Sequence, residues 1–413
     1  MKRVIEWVKV IALVVVLAFI GAGLLCLIEM MPVHGIEKNL KASADVLVAE
    51  GQYPVASSRY GGSLDNWTDA VMISECIYDG KDNSAWNRAM LSLMPETSCV
   101  DPIGGLDAIA SSISSTGKTD VNYVSYGRYW HGYKVVLKPL LSIKPYMSIR
   151  KANLIAMILS VLLVCVLMAY RKCTGIIIPY LLTFMLLMPE AIYKSMQYST
   201  CFYSMQIGLV LLLLFYNKFE NDKYIFLFSL IGVITNYVDL LTYPLVPFAI
   251  TLIAFLFMRR GAIIDNVICI IRAGVAWSLG YGGLWIMKWV LATVTTGFNV
   301  LQDAATNAAV RADGGAASLS EVFWTNYNAC FGNELRIYIL IYIIIALGIK
   351  IYHNQVSFRD YFIYLLVMIM PVVWYFVFRQ HSIIHTFFTN KEVVVIAMAA
   401  MVMCTPWMKK ERF

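Results

Sequence analysis

The chain has 413 residues, 60% of them hydrophobic and only 14% charged, with a mean hydropathy of +0.68. Soluble domains are about 25% charged, so this composition excludes an ordinary soluble protein. The formal charge of +7 is not a nucleic-acid signal, because Lys and Arg sit mostly in short connections between apolar runs, where they set membrane orientation.

In chain order, the apolar runs predict about ten transmembrane helices: 10–29, 151–170, 174–189, 200–216, 224–240, 243–258, 268–287, 336–352, 361–378 and 392–408. The expected fold is all-α, a polytopic helix bundle forming one domain over residues 1–413. The run from Val10 to Ile28 is too long for a signal-peptide core, and no A-x-A site follows it. It reads as a retained first helix. Alternate connections are short and basic: Lys2, Arg3 and Lys9; Arg171 and Lys172; Lys218 and Lys223; Arg259 and Arg260; Lys350 and Arg359; Lys409, Lys410 and Arg412. The positive-inside rule makes these cytoplasmic, so both termini are expected in the cytoplasm. The opposite side receives two long loops, residues 30–150 and 288–335. Loops of that length are usually functional. The first contains amphipathic helical stretches, IEKNLKASADVLVAE and WTDAVMISECIYDG. No internal repeat is visible. The nine cysteines show no CxxC spacing. Cys76 and Cys99 share the first loop, where a disulfide and two free thiols both fit.

Five stretches place ionisable groups on the extracytoplasmic side. In LDNWTDA, Asp65 precedes a helical run and can cap it. Asp69 lies one turn later, beside Trp67. Capping accounts for Asp65, so Asp69 is the first choice for a general base, with a solvated carboxylate as the plain alternative. In VSYGRYWHGYKVVLKPLL, Arg128, Tyr129, Trp130, His131 and Tyr133 crowd together. They fit an interfacial aromatic belt, or a basic, aromatic pocket in which Arg128 holds a phosphate oxygen pair and the Trp and Tyr rings stack on a sugar or exclude water. In PEAIYKSMQYS, Glu190 and Lys194 are four apart and can pair with each other, and Gln197 enters the next helix. In NYVDLLTYP, Asp239 ends a helix and Tyr243 begins a turn. In FRQHSIIHTFFTNKEVVV, Arg379, His381, His385 and Lys391 form a cationic cluster suited to phosphate. The spacing of His381 and His385 permits a shared metal, but two ligands do not make a site.

These stretches, with SMQYS, DLLTYP, KWVLATVTTGFN and HSIIHTFF, resemble segments of bacterial membrane proteins related to the GT-C superfamily of glycosyltransferases. That superfamily has a first helix followed by a large outer loop with an acidic catalytic residue near its start, the place that LDNWTDA occupies. The adjacent Asp-Glu pair common in some members is missing, which leaves both Asp65 and Asp69 as candidates. The WWD-type motif of oligosaccharyltransferases is also missing, so protein N-glycosylation is not expected.

The resemblance implies an inverting enzyme of the bacterial cell envelope. Its donor would be a polyprenyl-phosphate-linked sugar with its tail in membrane lipid. Its acceptor would be an extracytoplasmic glycan, polymer or protein. Asp69 or Asp65 would be the base. Arg128, His131, Lys194, Arg379, His381 and His385 would contact the donor phosphate. Trp67, Tyr129, Trp130, Glu190, Gln197, Asp239 and Tyr243 would line the pocket. No cofactor, metal or nucleic acid is implied. The alternative from another class is a transporter or lipid flippase. The topology predicts that an impermeant thiol reagent labels a Ser112→Cys variant in intact cells. A variant that reacts only after lysis would sink it.

Overall fold

The computed structural model describes residues 2–56, 62–78, 83–116, 121–219, 222–312, 315 and 317–406. It is nearly all helical. Helix α1 (Lys2–Glu29) is followed by α2 (His34–Glu50), α3 (Asn66–Ser74), α4 (Ala85–Leu91), strand β1 (Leu93–Pro95), α5 (Pro102–Thr116), strand β2 (Tyr123–Ser125) and α6 (Lys134–Ile143). Next come α7 (Tyr146–Tyr170), α8 (Ile177–Leu186), α9 (Pro189–Lys194), α10 (Met196–Phe219), α11 (Tyr224–Val238), α12 (Leu245–Arg259) and α13 (Ile263–Thr296). The remainder holds α14 (Val300–Ala312), α15 (Leu319–Phe331), α16 (Leu335–Tyr352), α17 (Phe358–Met368), α18 (Met370–Val377), α19 (Arg379–Ile384), α20 (Thr386–Thr389) and α21 (Val394–Cys404). The two strands pair antiparallel, Leu93 opposite Ser125.

Among the described residues, seven helical runs are long and apolar enough to cross a membrane. They are residues 4–29 within α1, then α7, α10, α13, α16, Phe358–Val377 and Thr386–Cys404. The expected spans at 174–189, 224–240 and 243–258 are shorter apolar helices, Thr174–Leu186, α11 and α12. Helix α12 is buried along its length from Leu245 to Phe257, which explains its unbroken apolar sequence. By contrast, α7 and α16 expose Ile158, Leu162, Val166 and Ile344, an apolar surface suited to lipid. Helices α11 and α13 pack backbone to backbone. Gly232 lies against Trp277 and Gly280, and Gly280 against Ser229, where no Cβ would fit.

Helix α13 runs nine residues past its expected end at 287, to Thr296, and stops at Gly297 with φ +75°. The sequence hid this extension because Lys288 reads as a loop residue. In the fold Lys288 is buried and its Nζ donates to the Ala89 carbonyl at 2.8 Å. Both amphipathic stretches expected in residues 30–150 are helical at their cores. Helix α2 buries Ile36, Leu40, Ala44 and Leu47. Cys76 is buried, Cys99 is exposed, and both are free thiols.

The 30–150 segment is fastened to the bundle by charge. Glu29, at the end of α1, accepts from Lys134 Nζ at 2.6 Å and Lys138 Nζ at 2.9 Å, and all three side chains are buried. Lys134 and Lys138 are one turn apart on α6, so one carboxylate serves both. Glu29→Gln leaves two buried ammonium groups without a counter-charge. Removing one member of such a group costs about 3–5 kcal/mol. Chemical denaturation in detergent is expected to show a loss of that size. An unchanged midpoint would mean that α6 is held by packing alone.

Candidate active site

At the end of the bundle that carries the 30–150 segment, Asp65 and Asp69 take different roles. Asp65 caps α3: Oδ1 accepts from the Thr68 N–H at 2.9 Å and Oδ2 from Thr68 Oγ1 at 2.8 Å. It is 3% exposed, and this burial lifts its pKa to about 7 against the two Thr68 bonds. Its charge acts on the Tyr53 and Tyr198 hydroxyls. Asp69 is fully buried and receives four bonds. Tyr146 Oη donates at 2.5 Å and the Met196 N–H at 3.3 Å to Oδ2. Ser195 Oγ at 3.1 Å and the Gln197 N–H at 3.2 Å reach Oδ1. Asp69 therefore caps α10 from another helix. Desolvation raises its pKa, opposed first by Tyr146 and then by the charge of Arg150.

Phe387 lies 5.3 Å from the Tyr53 ring, and Phe388 6.5 Å from the Tyr198 ring. Phe388 stacks on His385 at 5.0 Å, and His385 lies 4.8 Å from His381. His381 Nε2 donates to the Leu241 carbonyl at 2.8 Å, and its Nδ1 is buried without a partner. Burial, then neighbouring charge, lowers the pKa of both histidines, that of His385 to about 4. Both are neutral at pH 7; His381 is held by its hydrogen bond and His385 by ring stacking. Among the described residues no three His, Cys, Asp or Glu side chains gather as a metal site.

The positive charge that acts on both histidines is Arg311 of α14. Its guanidinium lies 5.7 Å from the Tyr129 ring centre. Arg128 lies 4.4 Å from the Tyr126 ring and 5.9 Å from that of Tyr129. Arg311 thus links the stretch holding Arg128 to the one holding His381 and His385, which lie some 250 residues apart in the sequence.

Below this shelf, Asp239 is buried in a turn, bonded by the Thr242 N–H at 3.0 Å and Thr200 Oγ1 at 3.2 Å. Desolvation raises its pKa. The turn includes Leu241 at φ +68°, a strained backbone held in part by His381. Tyr243 donates to the Tyr198 carbonyl. Gln197 is buried with Oε1 unbonded. An apolar groove of about 420 Å³ opens between α6, α7, α10 and α11, lined by Tyr133, Asn153, Met196 and Thr200 among others. Through Met196 and Thr200 it touches the bond networks of Asp69 and Asp239.

Glu190 is exposed. Lys194 packs 5.7 Å from the Tyr193 ring, and Arg379 lies 5.7 Å from the exposed Phe376 ring. Trp67 is half-buried on α3. Trp130 is buried and donates to the Leu284 carbonyl at 2.8 Å. His131 is buried in a network with Glu75 at 2.9 Å and the Tyr133 hydroxyl at 3.0 Å.

Sequence reasoning missed Glu75, Arg150, Arg311 and Glu392. Arg150 donates to Glu50 at 2.7 Å and Asn66 at 3.0 Å, fixing the start of α3. Glu392 accepts the Leu245 N–H at 3.2 Å and caps α12. Arg311 had a readable signal, because Asp303, Asn307 and Arg311 recur every four residues. No family model, curated protein or solved structure matches the chain.

The two aspartates should respond oppositely to amidation. Asp69→Asn turns an N–H₂ group toward donors that need an acceptor, and should cost about 2–4 kcal/mol. Asp65→Asn keeps the cap, because Asn caps about as well as Asp. The raised pKa of Asp65 means that its contribution to stability is full below about pH 4 and is lost as pH rises to about 7. Asp65→Asn removes that loss, so at pH 8 it should unfold no earlier than the parent. A lower denaturation midpoint at pH 8 would contradict this.

Proposed function

We propose that this protein is a membrane glycosyltransferase. It would transfer a sugar from a polyprenyl-phosphate donor to a hydroxyl of an extracytoplasmic glycan or polymer. The observation that carries the reading is one shared end of the bundle. There a desolvated carboxyl, Asp65, lies in a ring of aromatic side chains leading to Arg311 and Arg128, with a lipid-sized apolar groove nearby. The positive-inside pattern supports cytoplasmic termini, with this end outside the cytoplasm.

Asp65 rather than Asp69 serves as base in this mechanism. Asp69 has its oxygens filled by four donors, whereas Asp65 accepts only from Thr68. A pKa near 7 also suits a base that must take and release a proton at neutral pH. The acceptor O–H loses its proton to Asp65 as its oxygen attacks the anomeric carbon. The bond from that carbon to the phosphate oxygen breaks, and its electron pair leaves on the phosphate, whose charge Arg128 stabilises. A single displacement inverts the anomeric centre. The prenyl tail occupies the groove. The neutral His381 offers Nδ1 to a sugar hydroxyl.

The test is sugar transfer from a polyprenyl-phosphate donor by purified protein in lipid. The parent kcat/KM should rise with pH through about 7 as Asp65 ionises. Asp65→Asn should lower the rate about 10²–10⁴-fold and remove that limb. Full transfer by a folded Asp65→Asn variant would discard the mechanism.

A further inference from the structure

Asp303, Asn307 and Arg311 share one face of α14, and that face meets Arg128. Arg128 Nη1 donates to Asp303 Oδ2 across a long 3.4 Å. Asn307 Nδ2 holds the other oxygen, Oδ1, at 3.0 Å. Both guanidinium groups lie near one ring, that of Tyr129, at 5.9 Å for Arg128 and 5.7 Å for Arg311. Each guanidinium has five N–H donors. Among the described residues, the 3.4 Å contact is the one hydrogen bond that either guanidinium makes. Arg128 Nε is buried with no acceptor at all. Among its described side chains, α14 buries Val300 and Ala304 as apolar anchors.

The two guanidinium groups that flank Tyr129 thus have a surplus of donors and of positive charge over the one weak acceptor, which bonds Arg128. Buried donors are normally satisfied, and Arg128 Nε is a buried donor without an acceptor, so the pair suits a further acceptor. That acceptor must be anionic and present several oxygens. A carboxylate supplies two oxygens in a plane, whereas a phosphate presents three or more around a tetrahedron and can face two forks at once.

We propose that Arg128 and Arg311 form a two-arginine phosphate seat, and that Asp303 is a placeholder occupying it in the absence of phosphate. On binding, the Arg128–Asp303 bond breaks and phosphate oxygens accept from both arginines. Asp303 swings aside because two anions cannot share the seat. The proposal rests on the glycosyltransferase reading only in naming a prenyl phosphate as the natural carrier. The seat's chemistry is the same for a free phosphate ion.

The placeholder role has a distinctive sign, because deleting an acidic side chain should improve binding. Binding to purified full-length protein in detergent would be measured by calorimetry, with inorganic phosphate in one arm and farnesyl phosphate in the other. Arg128→Gln and Arg311→Gln should each weaken binding about tenfold or more, the loss of one charge-assisted bond. Asp303→Asn should tighten it about three- to tenfold, since Asn keeps the shape and removes the competing charge. Should Arg311→Gln fail to fold, Arg311→Lys keeps the charge, loses the fork and should weaken binding by a smaller factor. Farnesyl phosphate binding much tighter than inorganic phosphate would identify a lipid headgroup seat. Equal binding would identify a seat for the free ion, and either result supports the proposal. Weaker binding in Asp303→Asn, unchanged binding in the Arg311 variants, or no binding of either probe would overturn it. Phosphate binding without sugar transfer would defeat the enzymatic reading and leave the seat standing.

Discussion

A carboxylate removed from water must find donors, and this requirement shapes the end of the bundle that carries the 30–150 segment. Helices α10 and α12 begin inside the protein, where their first N–H groups have no water to meet. Asp69 supplies α10 from α3, and Glu392 supplies α12 from the segment before α21. Glu29 does the corresponding work for the two lysines of α6. Each carboxyl group is thus a latch between elements distant in sequence, and each is intolerant of losing its acceptor oxygens.

The same requirement sets Asp65 apart. It sits among the latches, nearly as buried, but it caps its own helix through a single residue, Thr68. Its ionised form is therefore less well supported. The chemistry assigned to this site rests on that difference in donor supply between two carboxylates four residues apart. Charge and hydrogen bonding are divided in the same way across the shelf above. The histidines, desolvated and near Arg311, are neutral, and the positive charge belongs to the arginines.

Local spacing made part of this legible. The cap at Asp65 and the amphipathic face of α2 followed from residues within one or two turns of each other. The apolar runs located the membrane-spanning helices because burial in lipid and burial in protein both select apolar residues. For the same reason the sequence could not distinguish α12, wrapped by protein, from a lipid-exposed span. Long-range pairing was invisible. Asp69 finds Tyr146 and Ser195 across 77 and 126 residues, and nothing in LDNWTDA announces them. Lys288 marked a false end for α13, because a lysine bonded to a distant carbonyl looks the same in sequence as one in water. The clustering of Arg128 with the histidines depended on Arg311, whose repeat with Asp303 and Asn307 was readable but lay in a segment taken as loop.

Helix α13 has 34 residues, so it is about 51 Å long, whereas a bilayer's apolar core is about 30 Å thick. It outreaches the lipid, and its far end carries Trp285 and Trp289. Trp285 stands 5.8 Å from the Tyr129 ring, and the Trp289 indole donates to the Arg128 carbonyl at 2.8 Å. The position of Arg128 and Tyr129 along the bundle is therefore set by a rigid rod and not by a loop. Under the proposed function, this rod would serve as a ruler for how far a donor's phosphate stands from the bilayer.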